Sequence, residues 1–274
     1  MSAHEMNEPI WVSIAAIGQW ETLPDFPTKL TMSLEQVEES WREDLIQQGW
    51  DTDVFDKPLL KKLRTFDQVI FGELSFSPYI ETYEEGRFPS RQMRWAKVVA
   101  KALRQLSMRG AQALYFDGAT KTYTIDMFEQ IDINDHATLF HLFIEIWREQ
   151  NGVATEGMRI FGLPEVCVVG FEPDSPAAQA TAFSVAAQLV CDDLKFTSKT
   201  RFRASESFPW CEVEWIENQA EAQHLIQEMY GETEGETEGE TEGETEGETE
   251  GETEGETEVE PQSYPCGLLV IRPV

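Results

Sequence analysis

Apolar residues along this chain switch between a strand-like and a helix-like spacing. Ile10 to Ile17 (IWVSIAAI) is a nearly unbroken apolar run and predicts a buried strand. A proline-containing loop follows. Ser33 then begins a helix-start pattern: its hydroxyl is placed to cap, Gln36 completes a capping box, and Met32 faces Val37 as a staple. That helix is expected to reach Gln48 and stop at Gly49. Val69 to Phe76 alternates as a strand does. Ser90 is expected to cap the next helix, which ends near Gly110. Its apolar face is formed by Trp95, Val99, Ala102, Leu103 and Leu106.

Ala111 to Phe116 (AQALYF) predicts a short strand. Asp135 is placed to cap a third helix, His136 to Gln150, apolar on most of its circumference. Glu165 to Gly170 (EVCVVG) predicts an inner strand. Ser175 and Pro176 form a favoured helix start, and Ala177 to Leu194 is alanine-rich. Thr200 to Arg203 and Cys211 to Ile216 predict an antiparallel pair. Asn218 caps a last helix to Tyr230, and Gly267 to Arg272 (GLLVIR) predicts a closing strand. Strands and helices interleave without strict βαβ alternation. The expected class is α+β, a mixed or antiparallel sheet covered by helices.

Between the last helix and the closing strand lie seven GETE units, Gly231 to Glu258. They hold no apolar residue and one glycine in four, the composition of a disordered segment. The apolar LLVI beyond them needs a buried partner, so the array reads as a loop insertion and not a tail. Residues 1–230 and 259–274 then form one domain, with a division into two subdomains near residue 130 left open. The chain has 274 residues and 30 aromatics, enough for a sizeable core.

The formal net charge is −30. Subtracting the array's 14 glutamates leaves −16 on the other 246 residues, so the folded part is acidic by itself. Such a surface disfavours nucleic acid and anionic membranes and favours a basic protein partner. No apolar run approaches the ~20 residues of a membrane helix. The first residues lack the basic-then-apolar order of a signal peptide. Cys167, Cys191, Cys211 and Cys266 are widely spaced, and three sit among apolar neighbours, as free thiols do. These features together predict a cytoplasmic protein with reduced cysteines.

Candidate chemistry is sparse. From Arg87 through Phe116 there are seven basic residues and no acidic ones. Arg91, Arg94, Lys97, Lys101 and Arg104 fall within about 140° of the Ser90 helix, opposite its apolar face. They form either a solvated face, a site for an anion or acidic partner, or a dock for the GETE array itself. His141 and Glu145 stand at i, i+4 with Arg148 on the same strip, which reads as an exposed strip more readily than as a metal site. EVCVVGFEPDSPAAQ places a helix start beside Glu172 and Asp174, which favours capping over anion binding. GATKT lacks the phosphate-loop spacing. No H-E-x-x-H, G-x-S-x-G or G-x-G-x-x-G occurs. No metal or other cofactor is expected.

The stretch GVATEGMRIFGLPEVCVVG, Gly152 to Gly170, resembles the signature region of a bacterial family of unknown function, in which "T-x-G-M … F-G-L-P-E" precedes an apolar strand. PIWVSIAAI and GAQALYF are similar in style to the same family. The resemblance carries no catalytic residues. Locally, Gly157, Gly162 and Pro164 are read as sharp turns.

Two function classes remain. The first is a non-enzymatic acidic cytosolic protein that docks a protein partner, of the inhibitor or immunity type. The second is a hydrolase-like enzyme with a dispersed site near His141 or the basic helix Arg91–Arg104.

Overall fold

A computed structural model describes residues 9–25, 27–77, 80–83, 86–128, 131–172, 175–196, 200–230 and 266–274. The GETE array lies outside the described residues. In chain order the elements are β1 (Ile10–Gly18), β2 (Thr31–Gln36), α1 (Glu39–Asp51), α2 (Lys57–Leu63), β3 (Gln68–Phe76), β4 (Ile80–Tyr83), β5 (Gly86–Pro89), α3 (Met93–Ser107), β6 (Ala111–Phe116), β7 (Lys121–Thr124) and α4 (His136–Phe143). They continue with β8 (Glu145–Glu149), β9 (Gly152–Glu156), β10 (Glu165–Val169), α5 (Pro176–Cys191), β11 (Thr200–Phe202), β12 (Cys211–Ile216), α6 (Gln219–Tyr230) and β13 (Leu268–Pro273). The protein is α+β.

One sheet has the order β2-β3-β1-β6-β7 and is antiparallel throughout. The other has the order β11-β12-β13-β10-β9-β8, with a single parallel pair, β10 against β13. β4 and β5 form a separate hairpin.

Period-two alternation sorts the side chains of each sheet between two layers. Ile10, Val12, Ile14 and Ala16 of β1 point into one large cluster. That cluster also takes Val166 and Val168 of β10, Leu269 and Ile271 of β13, and the buried faces of α3, α4 and α5. These three helices therefore contribute to a common core shared by both sheets. On the far side of the first sheet, Ile17 and Ala113 pack under α1 and α2 with Leu45, Ile46 and Phe55. On the far side of the second, Cys167, Leu268 and Val270 pack under α6 with Ala222 and Met229.

β13 is hydrogen-bonded on both edges and buried on both faces, which is why LLVI reads as a continuous apolar run. Asp135, Ser175 and Asn218 cap α4, α5 and α6 as their sequences predict.

Three expectations need correction. Ser33 to Gln36 do not open a helix. They pair with β3 as an edge strand, Ser33 opposite Phe71, and α1 begins only at Glu39. The capping-box residues were matched by local spacing, but the β3 edge offers Thr31–Gln36 a full row of backbone partners, and that long-range pairing wins. The third helix ends at Phe143, and Glu145–Glu149 cross to β8. Ser90 does not cap α3; the cap position is Gln92, and the buried Ser90 hydroxyl has no hydrogen-bond partner.

Candidate functional site

The basic strip survives in part. α3 buries Ala96, Val99, Ala100, Leu103 and Leu106, so its remaining arc faces outward. Arg94 and Lys101 are exposed on that arc, and Lys97 and Arg104 are half-exposed. Among the described residues none of the four makes an ion pair. The Arg94 guanidinium lies over Trp95, 4.4 Å from the ring centroid, and Lys29 approaches the same ring at 6.0 Å. Arg91 departs from the expected strip. It precedes α3, and its Nη1 donates to the Val190 and Cys191 carbonyls at 2.6 and 3.1 Å, with Asp193 at 3.6 Å. Arg91 thus satisfies the carbonyl end of α5, where a cation is favoured.

His141 and Glu145 are not on one helix. His141 lies in the last turn of α4 and packs edge-on against Phe140 and beside Phe183. Glu145 starts β8 and pairs with Lys121 at 2.7 Å. Lys121 also donates to the His141 and Ile144 carbonyls, closing the end of α4. Arg148 bonds Gln179 at 2.7 Å. Glu145 and Arg148 are thus engaged elsewhere and do not share a helical strip with His141.

The chain instead gathers carboxylates where the two sheets meet. Glu145 of β8 is directly opposite Glu156 of β9. Glu156 accepts from Thr120 Oγ1 at 3.1 Å and from the Trp147 indole at 2.8 Å. Glu165, at the start of β10, accepts from Thr155 Oγ1 at 2.8 Å and from the Gly157 amide at 3.0 Å. The Arg159 amide is more distant, at 3.4 Å. Burial, aided by the neighbouring Glu156 charge, raises the Glu165 carboxyl to about 8. Burial likewise raises Glu156. Arg159 reaches from the 3₁₀ turn Met158–Phe161 to Asp117 at 3.4 Å.

This constellation supplies the physical content of the T-x-G-M … L-P-E stretch. Thr155, Gly157 and Glu165 form one closed hydrogen-bonded turn. Both oxygens of Glu165 are engaged by its own loop, so the group is a tie and not a free acid. Gly157 has φ 103° and a side chain there would run into the Phe143 carbonyl, so the turn requires glycine. In the sequence, Gly157 reads as a turn-former and Glu165 as the start of a strand. That Glu165 folds back on Gly157 depends on the β9–β10 register.

The second arrangement that sequence reasoning passed over is α1. Between Glu35 and Asp56 there are eight carboxylates and one base, Arg42. All eight are exposed. Leu45, Ile46 and Gly49 face the sheet, which turns Glu39, Glu43, Asp44, Trp50 and Asp51 to one outward arc of about 140°. Glu43 pairs with Arg64, and Asp56 caps α2. Glu39, Asp44 and Asp51 have no ion pair among the described residues. Trp50 stands in this field 46% exposed, with Lys57 5.9 Å from its ring. The signal was present in the sequence as a charge run, but its one-sidedness needed a helix that continues past Gly49 to Asp51.

Burial raises the thiols of Cys167 and Cys266 far above the ordinary value, and Cys191 and Cys211 are raised too. None is a poised nucleophile. Among the described residues no group of three or more His, Cys, Asp or Glu could hold a metal ion, and no helix is long and apolar enough to cross a membrane. Compared with known proteins, the chain matches no family model, no curated protein and no solved structure.

Proposed function

We propose that this is a non-enzymatic protein-interaction domain, acting in the cytosol, that docks a basic protein through the outer face of α1. The observation that carries the reading is Trp50, 46% exposed beside Glu39, Asp44 and Asp51, which have no ion pair among the described residues. Aromatic anchors contribute heavily to interfaces, and a ring already approached by one cation is suited to accept another from a partner. The surrounding carboxylates would steer a basic surface toward it and raise its association rate. The inhibitor or immunity type named from the sequence is the same class of protein: an acidic domain that covers a basic target.

A charge-reversal capture tests this. The wild-type chain and a Glu39→Lys/Asp44→Lys/Trp50→Ala variant are immobilised, and the same cell extract is passed over both. The proposal expects a basic protein retained by the wild type and lost by the variant. Equal retention by both would remove α1 as the docking face.

A further inference from the structure

The strip on α3 has the opposite sign, and the α1 reading does not account for it. Outside the array, 37 of 246 residues are acidic, being the chain's 51 less the array's 14. Thirty consecutive residues should then carry four or five. Arg87 to Phe116 carry none, against seven basic residues. Arg94, Lys97, Lys101 and Arg104 turn to one side because Ala96, Val99, Ala100, Ala102, Leu103 and Leu106 take the buried side of α3. No carboxylate among the described residues pairs with any of the four. An acidic protein has many carboxylates with which to neutralise a merely solvated strip, so one without an ion pair among the described residues is a notable feature of this surface.

We infer that the outward strip of α3 is a second docking surface, which takes an acidic polypeptide segment from a partner. From Arg94 to Arg104 the strip spans about 15 Å of helix. An extended peptide of about five residues covers that length at ~3.3 Å per residue. Nucleic acid fits less well. It carries one charge per ~1.7 Å of duplex axis, and beyond 15 Å its phosphates would meet a molecule of net charge −30. A short acidic segment ends where the strip ends. Arg94 is held over Trp95, which orders one of the four cations in advance and lowers the entropy lost on binding.

The test uses the full chain and a fluorescent ten-residue polyglutamate peptide, with a 20-nucleotide single-stranded DNA as the rival probe. Anisotropy is read at 50 and 300 mM salt. The variant is Arg94→Gln/Lys97→Gln/Lys101→Gln/Arg104→Gln, with circular dichroism to establish that it folds. A second variant, Lys61→Gln/Lys62→Gln, removes exposed cations elsewhere. The inference expects peptide binding at 50 mM salt that weakens at 300 mM, where screening shortens the range of exposed charges. It expects binding about tenfold weaker in the α3 variant, the summed effect of four exposed pairs, and little changed in the α2 variant. Absent peptide binding at 50 mM salt would overturn it. So would equal binding by the α3 variant, or tighter binding of the DNA than of the peptide. None of these outcomes involves α1, so the first proposal stands or falls separately.

Discussion

Glu165 Oε1 accepts the Gly157 amide at 3.0 Å, joining the start of β10 to the turn that follows β9. The Thr155 hydroxyl completes the tie: it donates to Glu165 at 2.8 Å and accepts from the Val166 amide at 2.8 Å. Replacing Glu165 with Ala leaves the Gly157 amide without a partner and the Thr155 hydroxyl without its acceptor. Each orphaned buried group costs about 1–3 kcal/mol. Chemical denaturation of Glu165→Ala should therefore show a loss of about 2 kcal/mol or more. A loss under ~0.5 kcal/mol would mean that the tie contributes nothing.

The same carboxyl gives a pH dependence of defined sign. Its folded value of about 8 lies above the ordinary 4.5. The folded state therefore binds the proton more tightly than the unfolded state. The stability from this group is complete below about pH 4.5 and is lost as pH rises through 8. The wild type should lose more melting temperature between pH 5 and pH 9 than Glu165→Gln, which cannot ionise. Equal slopes would show that Glu165 titrates in the ordinary range.

Ser90 provides a test of opposite character. A helix-capping serine costs typically ~1 kcal/mol when changed to Ala. Here the hydroxyl is buried without a hydrogen-bond partner and the cap position is Gln92. Removing an unsatisfied hydroxyl should be neutral or mildly stabilising. Thermal unfolding of Ser90→Ala should match or exceed the wild type, and a drop of several degrees would restore the serine as a cap.

The closing strand is the most consequential short segment. Leu268, Leu269, Val270 and Ile271 are fully buried in the middle of the second sheet. Val270→Asp places a charge between β10 and β12, under α6. Buried unpaired charge is among the few causes of losses above ~4 kcal/mol. The variant should be insoluble or should lack near-ultraviolet circular dichroism. A cooperative transition near that of the wild type would displace β13 from the core.

How far these elements were legible followed from how local their causes are. Asp135, Ser175 and Asn218 each bond an amide two or three residues away, and each was readable. The run LLVI was readable because burial on both faces removes polar positions from it. Ser33 to Gln36 misled because a helix-start spacing occurs in a segment whose partner, β3, lies more than thirty residues on. His136 to Gln150 misled because Ile144, the one residue between helix and strand, carries no turn signal, and Ile146 and Trp147 continue the apolar pattern. The strip on α3 was legible apart from Arg91, whose partners lie about a hundred residues away. The α1 face was hidden by the expected stop at Gly49, since Trp50 and Asp51 join the arc only when the helix continues to Asp51.

The central claim is that α1 binds a basic partner through Trp50 and its carboxylates. Once a captured partner is in hand, the most direct measurement is its dissociation constant at 50 and 300 mM salt, for the wild type and for Trp50→Ala. Steering by exposed carboxylates predicts markedly weaker wild-type binding at high salt, since the Debye length is ~10 Å at 0.1 M and ~3 Å at 1 M. An interfacial aromatic anchor predicts a loss of about tenfold or more for Trp50→Ala at both salt concentrations. Salt-independent binding that Trp50→Ala leaves unchanged would contradict the account.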